Sequence, residues 1–431
     1  MGRKQIYEKD AAYSILKYYV DCCIRHSYRR IEVSGKENIP DDGAVIIAPN
    51  HCNTLMDALV VLQAFEDETV FGARADMFNN RFIAKIMFFV RILPMVRQRD
   101  GLRNVLKNYE TQEIIVETLK NDVRFCMFPE GRHRPTHSLL PLGKGVFRSA
   151  LAASAELGEK KPVYIVPAGI EYGDYFRYRG TCLVSFGEPI NVTDFIKNHE
   201  VDSEAQLMEP LKNELRHRMS KLISYIESSE NYTEKWSLTK ILARPEARKG
   251  SLADMMTNNR RILNEIEKLA EKNPETMTLL LEKAGEFEKK RKKKGLSIWS
   301  FAKDSLFTDV LTAVLGIPYF VFAALASLPM WLVFELLKLK IKDKAFRNTA
   351  GFGIKLVMGP LMLIMWAILA FCNAPWWLAI MFTLLTIPSY TFVYDYAEFI
   401  RIFISDLKLL RNRKMARRFE DIRNEFNKMN Q

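Results

Sequence analysis

An imidazole followed six residues later by a carboxylate, at Asn50-His51 and Asp57, could move a proton. A carboxylate bonded to one ring nitrogen fixes the tautomer and stabilises the imidazolium that forms. The other nitrogen can then take a proton from an alcohol. Help of this kind contributes roughly 10²–10⁴-fold to a rate. A histidine there could equally cap the helix that follows. A second set, Phe128-Pro129-Glu130-Gly131-Arg132-His133-Arg134, has the make-up of an anion-binding turn. Gly131 permits a tight turn, and Arg132 and Arg134 supply donors suited to phosphate. Glu130 could bond a substrate hydroxyl or hold an arginine in place; a charged surface turn is the plainer alternative. Arg91, Arg97 and Arg99 surround a short apolar run, and one or two of them could reach a phosphate near His51.

These groups need a frame, and the pattern from residue 31 to about 230 alternates short β-rich runs with helical stretches. Strands are predicted at 44–48, 70–73, 93–96, 123–128, 163–167 and 181–186. Helices are predicted at 81–90, 103–119, 144–157 and 203–227. Such alternation implies an α/β fold, with a mixed, largely parallel sheet flanked by helices. Two strands deliver the interesting residues: Ala48 precedes Asn50-His51, and Phe128 precedes Glu130. Asp57 opens the apolar run 58–62 and falls in the first turn of a helix. In open α/β sheets, sites gather at the carboxyl ends of strands.

The chain has 431 residues, enough for two or three units, and a formal net charge of +12. A basic protein favours polyanions, so nucleic acid and anionic lipid both come into view. No zinc-ligand spacing or aromatic-studded basic strand is present, and the apolar residues concentrate near the C-terminus, which favours lipid over nucleic acid. The six cysteines show no framework spacing, as expected of reduced thiols in a cytosol-facing protein. The first ten residues have no apolar core and no small-residue cleavage site, so no secretory signal is expected.

Residues 11–24 are apolar or aromatic except for Ser14, Lys17 and Asp21, which recur at helical spacing as one narrow polar stripe. This N-terminal amphipathic helix could lie in a headgroup layer or pack on its own domain. Residues 310–334 carry no charge over 25 positions, and 356–394 carry none over 39. The first can span the roughly 30 Å of a hydrocarbon core. The second would reach about 58 Å as one helix and must fold back, with Asn373-Ala374-Pro375 as the turn. If every basic segment stays on one side, the crossings between them are even in number. Pro318 and Pro329 would then break the first stretch into a re-entrant hairpin. A basic run at 289–294 precedes this region and is either solvated or in contact with anionic lipid. The expected division is a surface helix at 1–30, the α/β domain at 31–235, and a charged helical segment at 236–303. Membrane hairpins at 304–400 and a basic cytoplasmic tail at 401–431 complete it.

Residues 11–230 resemble the glycerolipid acyltransferases, the enzymes that acylate glycerol 3-phosphate and lysophosphatidate. Four blocks carry the resemblance, in the family's order: Asn50-His51 with Asp57, Leu93-Pro94-Met95-Val96-Arg97, Phe128-Pro129-Glu130-Gly131-Arg132, and Ile165-Val166-Pro167-Ala168-Gly169. Five residues separate His51 from Asp57 where most members have four, which looks like the branch that includes the fungal type; Arg91 stands where the family usually has glycine. The resemblance implies that His51 is the base and Asp57 its orienting partner. It implies that Arg97, Glu130, Gly131 and Arg132 hold the glycerol phosphate and that 165–167 relates to acyl-donor binding. It further implies direct attack by the alcohol on an acyl thioester of coenzyme A or acyl carrier protein, with no metal, no bound cofactor and no covalent enzyme intermediate. The expected partners are therefore membrane lipid, the thioester donor and a glycerol phosphate acceptor. The protein is expected to be integral to a membrane with this domain facing the cytoplasm. Two other readings are a catalytically inactive lipid-binding or scaffold protein of the same fold, and a phosphatase acting through His and Arg.

Overall fold

The apolar runs of the first half pair into one sheet in the computed structural model, which describes residues 5–95, 105–199, 204–227, 230–247, 250–302 and 306–430. The chain divides into two compact units. The first comprises Met1–Arg25, Arg30–Phe176 and Gly180–Ile223; the second comprises His26–Arg29, Arg177–Arg179 and Ser224–Gln431.

In the first unit the elements run α1 (Ala11–Ser27), β1 (Arg30–Ser34), β2 (Ala44–Pro49), α2 (Leu55–Gln63), β3 (Thr69–Arg74), α3 (Arg81–Phe89) and β4 (Ile92–Met95). They continue as α4 (Val105–Lys120), β5 (Arg124–Cys126), α5 (Gly145–Leu157), β6 (Val163–Tyr172), β7 (Thr181–Phe186), β8 (Ile190–Asn191), α6 (Val192–Asn198) and α7 (Glu204–Ser220). The sheet order is β1-β7-β6-β2-β5-β3-β4, with β8 also on β6. Pairing is parallel except where β7 and β8 meet β6. All six residues of β2 are buried, as are Val163, Ile165, Val166 and Ala168 of β6, which is the continuous apolar pattern of a sheet covered on both faces. Gly169 of β6 is required by a close approach, because a Cβ there would stand 2.3 Å from the Leu222 carbonyl oxygen.

α1 turns two of the three residues of its polar stripe inward. Lys17 and Asp21 are buried and paired at 2.7 Å, and Lys17 Nζ also donates to the Phe65 carbonyl at 2.7 Å. Burial pushes the Asp21 carboxyl up, while Lys17 draws it back down. Ser14 stays exposed, as do Ile15 and Tyr18.

Arg91 does not face the site, contrary to its reading as a possible phosphate ligand. Its guanidinium is buried, donates to the carbonyls of Ile6 (2.7 Å) and Glu8 (2.6 Å), pairs with Glu68 at 2.6 Å and lies over the Tyr13 ring. An arginine with that many partners is an internal latch on the N-terminal segment.

The second unit is helical: α8 (Tyr232–Ala247), α9 (Leu252–Lys272), α10 (Pro274–Lys293), α11 (Phe307–Lys340), α12 (Lys344–Asn373), α13 (Trp376–Thr386), α14 (Ser389–Leu410) and α15 (Arg413–Met429). α8, α9, α10 and α15 share a core that includes Ile241, Ile266, Leu280, Phe287, Phe419 and Phe426. The basic run at the end of α10 is partly tied down, with Lys290 bonded to Glu286 and Arg291 to Glu288.

α11 and α12 are each long and apolar enough to cross a membrane, and α13 with α14, bent by 51°, would make a third span if the pair counts as one. The turn expected near 373–375 is present, since α12 ends at Asn373 and α13 begins at Trp376. The re-entrant break is not: α11 runs unbroken through Pro318 and Pro329. A proline removes one backbone donor and leaves one carbonyl without its partner, a local loss that a long apolar helix packed on others absorbs. Small residues bring the helices close. A Cβ on Gly316 of α11 would lie 2.2 Å from the Tyr396 ring of α14.

Candidate active site

The carboxyl ends of β2 and β5 lie side by side, with Ile47 beside Cys126. Just beyond these ends stand His51 and Phe128, whose rings stack with centroids 4.4 Å apart. The His133 ring meets the imidazole edge to face, with centroids 5.7 Å apart. His51 remains partly accessible, with 17% of its side chain exposed, whereas Asp57 is wholly buried.

The Nδ1 of His51 lies 2.7 Å from Asp57 Oδ2. A carboxylate only accepts, so Nδ1 holds the proton and the lone pair resides on Nε2. The same Oδ2 accepts the backbone N–H of Cys52 (2.7 Å) and Asn53 (2.6 Å), while Oδ1 accepts the Tyr172 hydroxyl at 2.7 Å. It is thus Asp57, not His51, that ties down the loop before α2. The five-residue spacer fits because Cys52, Asn53 and Thr54 lie in that loop and Leu55 and Met56 in the first turn of α2. The strain of the fit falls on Thr54, a β-branched residue held at φ 50° and ψ −129°.

Asn50 sets the position of its neighbour. Its carboxamide accepts from Ile170 N (2.6 Å) and donates to Ile170 O (3.1 Å), so a side chain extends the β2–β6 ladder one rung past Pro49. Glu130 works on the other side. Its Oε1 accepts the backbone N–H of His51 (2.9 Å) and its Oε2 that of Leu140 (2.7 Å). The carboxylate therefore joins the His51 loop to its own, the loop between β5 and α5, and among the described residues no ion pair of it with an arginine is seen. Burial raises its pKa, and the two amides partly offset that. Arg134 N donates to the His51 carbonyl at 2.9 Å, which fixes the same backbone from a third direction.

Gly131 sits at φ 62°, where a side chain would be strained, and exposes the turn after Phe128. Arg132 next to it is exposed, and Arg134 extends toward Ser138 at 2.8 Å. Arg97 and Arg99 lie outside the described residues. Ile165 and Val166 are buried in the sheet, so that block contributes to its core.

Cys52 beside the imidazole invites comparison with a thiol nucleophile. Full burial and the charges of Asp57 and Glu130 push its pKa well up, which keeps it a thiol rather than a thiolate. The arrangement is a partly exposed imidazole, held through Nδ1 by a buried carboxylate, beside a turn that carries exposed arginines. A group of this kind can take a proton from a hydroxyl.

Residues 30–171 match the family model described as Acyltransferase. Among characterised relatives, 1-acyl-sn-glycerol-3-phosphate acyltransferase of Bacillus subtilis is 21% identical over 192 residues, covering 44% of this chain and 89% of that protein. Glycerol-3-phosphate O-acyltransferase 2 of Saccharomyces cerevisiae is 31% identical over 124 residues, 29% of this chain and 15% of that protein. 1-acyl-sn-glycerol-3-phosphate acyltransferase alpha of Mus musculus is 25% identical over 128 residues, 30% of this chain and 43% of that protein. The solved structure of a 1-acyl-sn-glycerophosphate acyltransferase from Thermotoga maritima aligns with 20% identity and a TM-score of 0.35, covering 50% of this chain and 83% of that one.

Proposed function

We propose that this chain, whose residues 30–171 match the Acyltransferase family model, moves a fatty acyl group from an acyl thioester to glycerol 3-phosphate or its 1-acyl derivative. The observation that carries the reading is the 2.7 Å contact between His51 Nδ1 and Asp57 Oδ2 at the carboxyl edge of the sheet. His51 Nε2 takes the proton of the acceptor hydroxyl as its oxygen attacks the thioester carbonyl. The new C–O bond forms, the C–S bond breaks as the intermediate collapses, and the departing thiolate takes the proton back from the imidazolium. Coenzyme A or acyl carrier protein is the co-substrate that carries the acyl group, with no resident cofactor or metal in the scheme. Arg132, on the turn made by Glu130 and Gly131, would hold the acceptor phosphate together with Arg97. The apolar helices would keep the enzyme in a membrane, its α/β unit on the cytoplasmic side with the basic segments.

The test offers purified protein labelled acyl thioesters on both carriers with each glycerol phosphate in turn. Labelled ester should appear, and His51→Ala should lower turnover roughly 10²–10⁴-fold while the protein stays membrane-bound. Arg97→Ala should chiefly raise the acceptor KM; an effect from Arg99→Ala instead would shift the phosphate contact by two positions. Tight lipid binding without turnover would favour an inactive scaffold, and phosphate release without acylation a phosphatase.

A further inference from the structure

α3 carries large apolar side chains that the fold leaves outside. None of its nine residues is buried. Phe82, Ile83, Ile86 and Phe89 are 72%, 46%, 46% and 42% exposed, and Met77, just before the helix, is 52% exposed. At about 100° per residue, Phe82, Ile86 and Phe89 fall within one narrow arc, with Ile83 at its margin. Arg81 and Lys85, both exposed, lie along the other margin of that arc. The inner face is left to Ala84, Met87 and Phe88, which are partly covered. Asn80 caps the helix by accepting from Phe82 N at 2.8 Å, so the stripe is presented by a formed helix.

We propose that α3 is an interfacial helix of the α/β unit, its apolar stripe seated among the acyl chains of an anionic membrane and its cations at the headgroups. Three observations choose a membrane over other occupants. The cations flank the apolar arc on one side, as expected where headgroups border hydrocarbon. The same chain holds two helices long and apolar enough to span a bilayer, so the stripe meets lipid at the high effective concentration of a tethered group. The chain's charge of +12 favours an anionic surface. The proposal is independent of the acyl-transfer reading, since it concerns a surface and not the chemistry.

The experiment uses the full chain with Cys22→Ser and Cys372→Ser, which removes the exposed thiols and leaves Cys23, Cys52, Cys126 and Cys182 buried. A polarity-sensitive fluorophore is placed by Phe82→Cys or by Ile86→Cys, two surface positions where exchange should not disturb the core. The protein is reconstituted in vesicles of phosphatidylcholine with phosphatidylglycerol, some of it bearing a doxyl quencher high on the acyl chain. Both labels should emit to the blue of the free dye and be quenched by the doxyl lipid. Arg81→Glu with Lys85→Glu should reduce that quenching. An aqueous emission open to iodide would overturn the proposal. So would a blue shift that doxyl lipid leaves untouched, which would mean cover by the protein itself. A blue shift that grows with the protein-to-lipid ratio would point to a second copy and also overturn it.

Discussion

Asp57 is the most heavily bonded side chain of the site, with four donors at 2.6–2.7 Å and no exposure. Three of these donors come from the loop before α2. The fourth, Tyr172, is supplied from β6; under the proposed mechanism it is a positioning residue, since it touches the partner of the proposed base and not the reacting atoms. Nothing in local spacing pairs it with a carboxylate 115 positions away, so it escapes a reading of the sequence. A hydrogen bond to a charged group contributes roughly 1.5–3 kcal/mol, and about 1.4 kcal/mol is tenfold in rate. Tyr172→Phe should therefore lower kcat by roughly ten- to hundredfold, with the acceptor KM little changed. An unchanged kcat with a changed KM would mean that the hydroxyl serves packing alone.

At the scale of elements, the geometry of the proposed site depends on where β2 stops. Asn50 prolongs its pairing with β6 through a carboxamide that both donates and accepts, and a carboxylate can do only one of these. Asn50→Asp should leave the Ile170 carbonyl unsatisfied and facing a negative charge. The expected cost is about 1–3 kcal/mol of stability, read as a lower unfolding midpoint, together with a fall in kcat because His51 is the next residue. β2, β3, β4 and β7, and the helices between them, are legible because their apolar runs end at glycine, proline or charge. β1 is not, since Arg30-Ile31-Glu32-Val33-Ser34 alternates charge with aliphatics and its pairing partner lies far ahead in β7. β6 runs five residues beyond the 163–167 expected of it, through Gly169 to Tyr172, because a glycine that suggests a turn serves a close approach. The polar stripe of α1 reads as its wet face, and only tertiary structure shows Lys17 meeting the Phe65 carbonyl.

For the whole molecule, one basic chain carries two kinds of solvent-averse surface: a sheet core that supports chemistry and helices suited to lipid. Within the segment read as a basic tail, α15 buries Met415, Phe419, Ile422 and Phe426 along one face. That pattern of one apolar side every three or four residues is visible in the sequence, but its partners on α8, α9 and α10 are more than a hundred residues away. Phe419 is the centre of this packing, 1% exposed and in ring contact with Phe287 and Phe301. Phe419→Ala should leave a cavity that costs about 3–5 kcal/mol in the helical unit. Hydrogen exchange on the full chain in membrane should then show faster exchange in peptides from α8, α10 and α15. Peptides from β2, β5 and β6 should keep their protection, since the chain separates into two compact units and the cavity lies in one. Equal loss of protection in both sets would mean that the two units unfold as one.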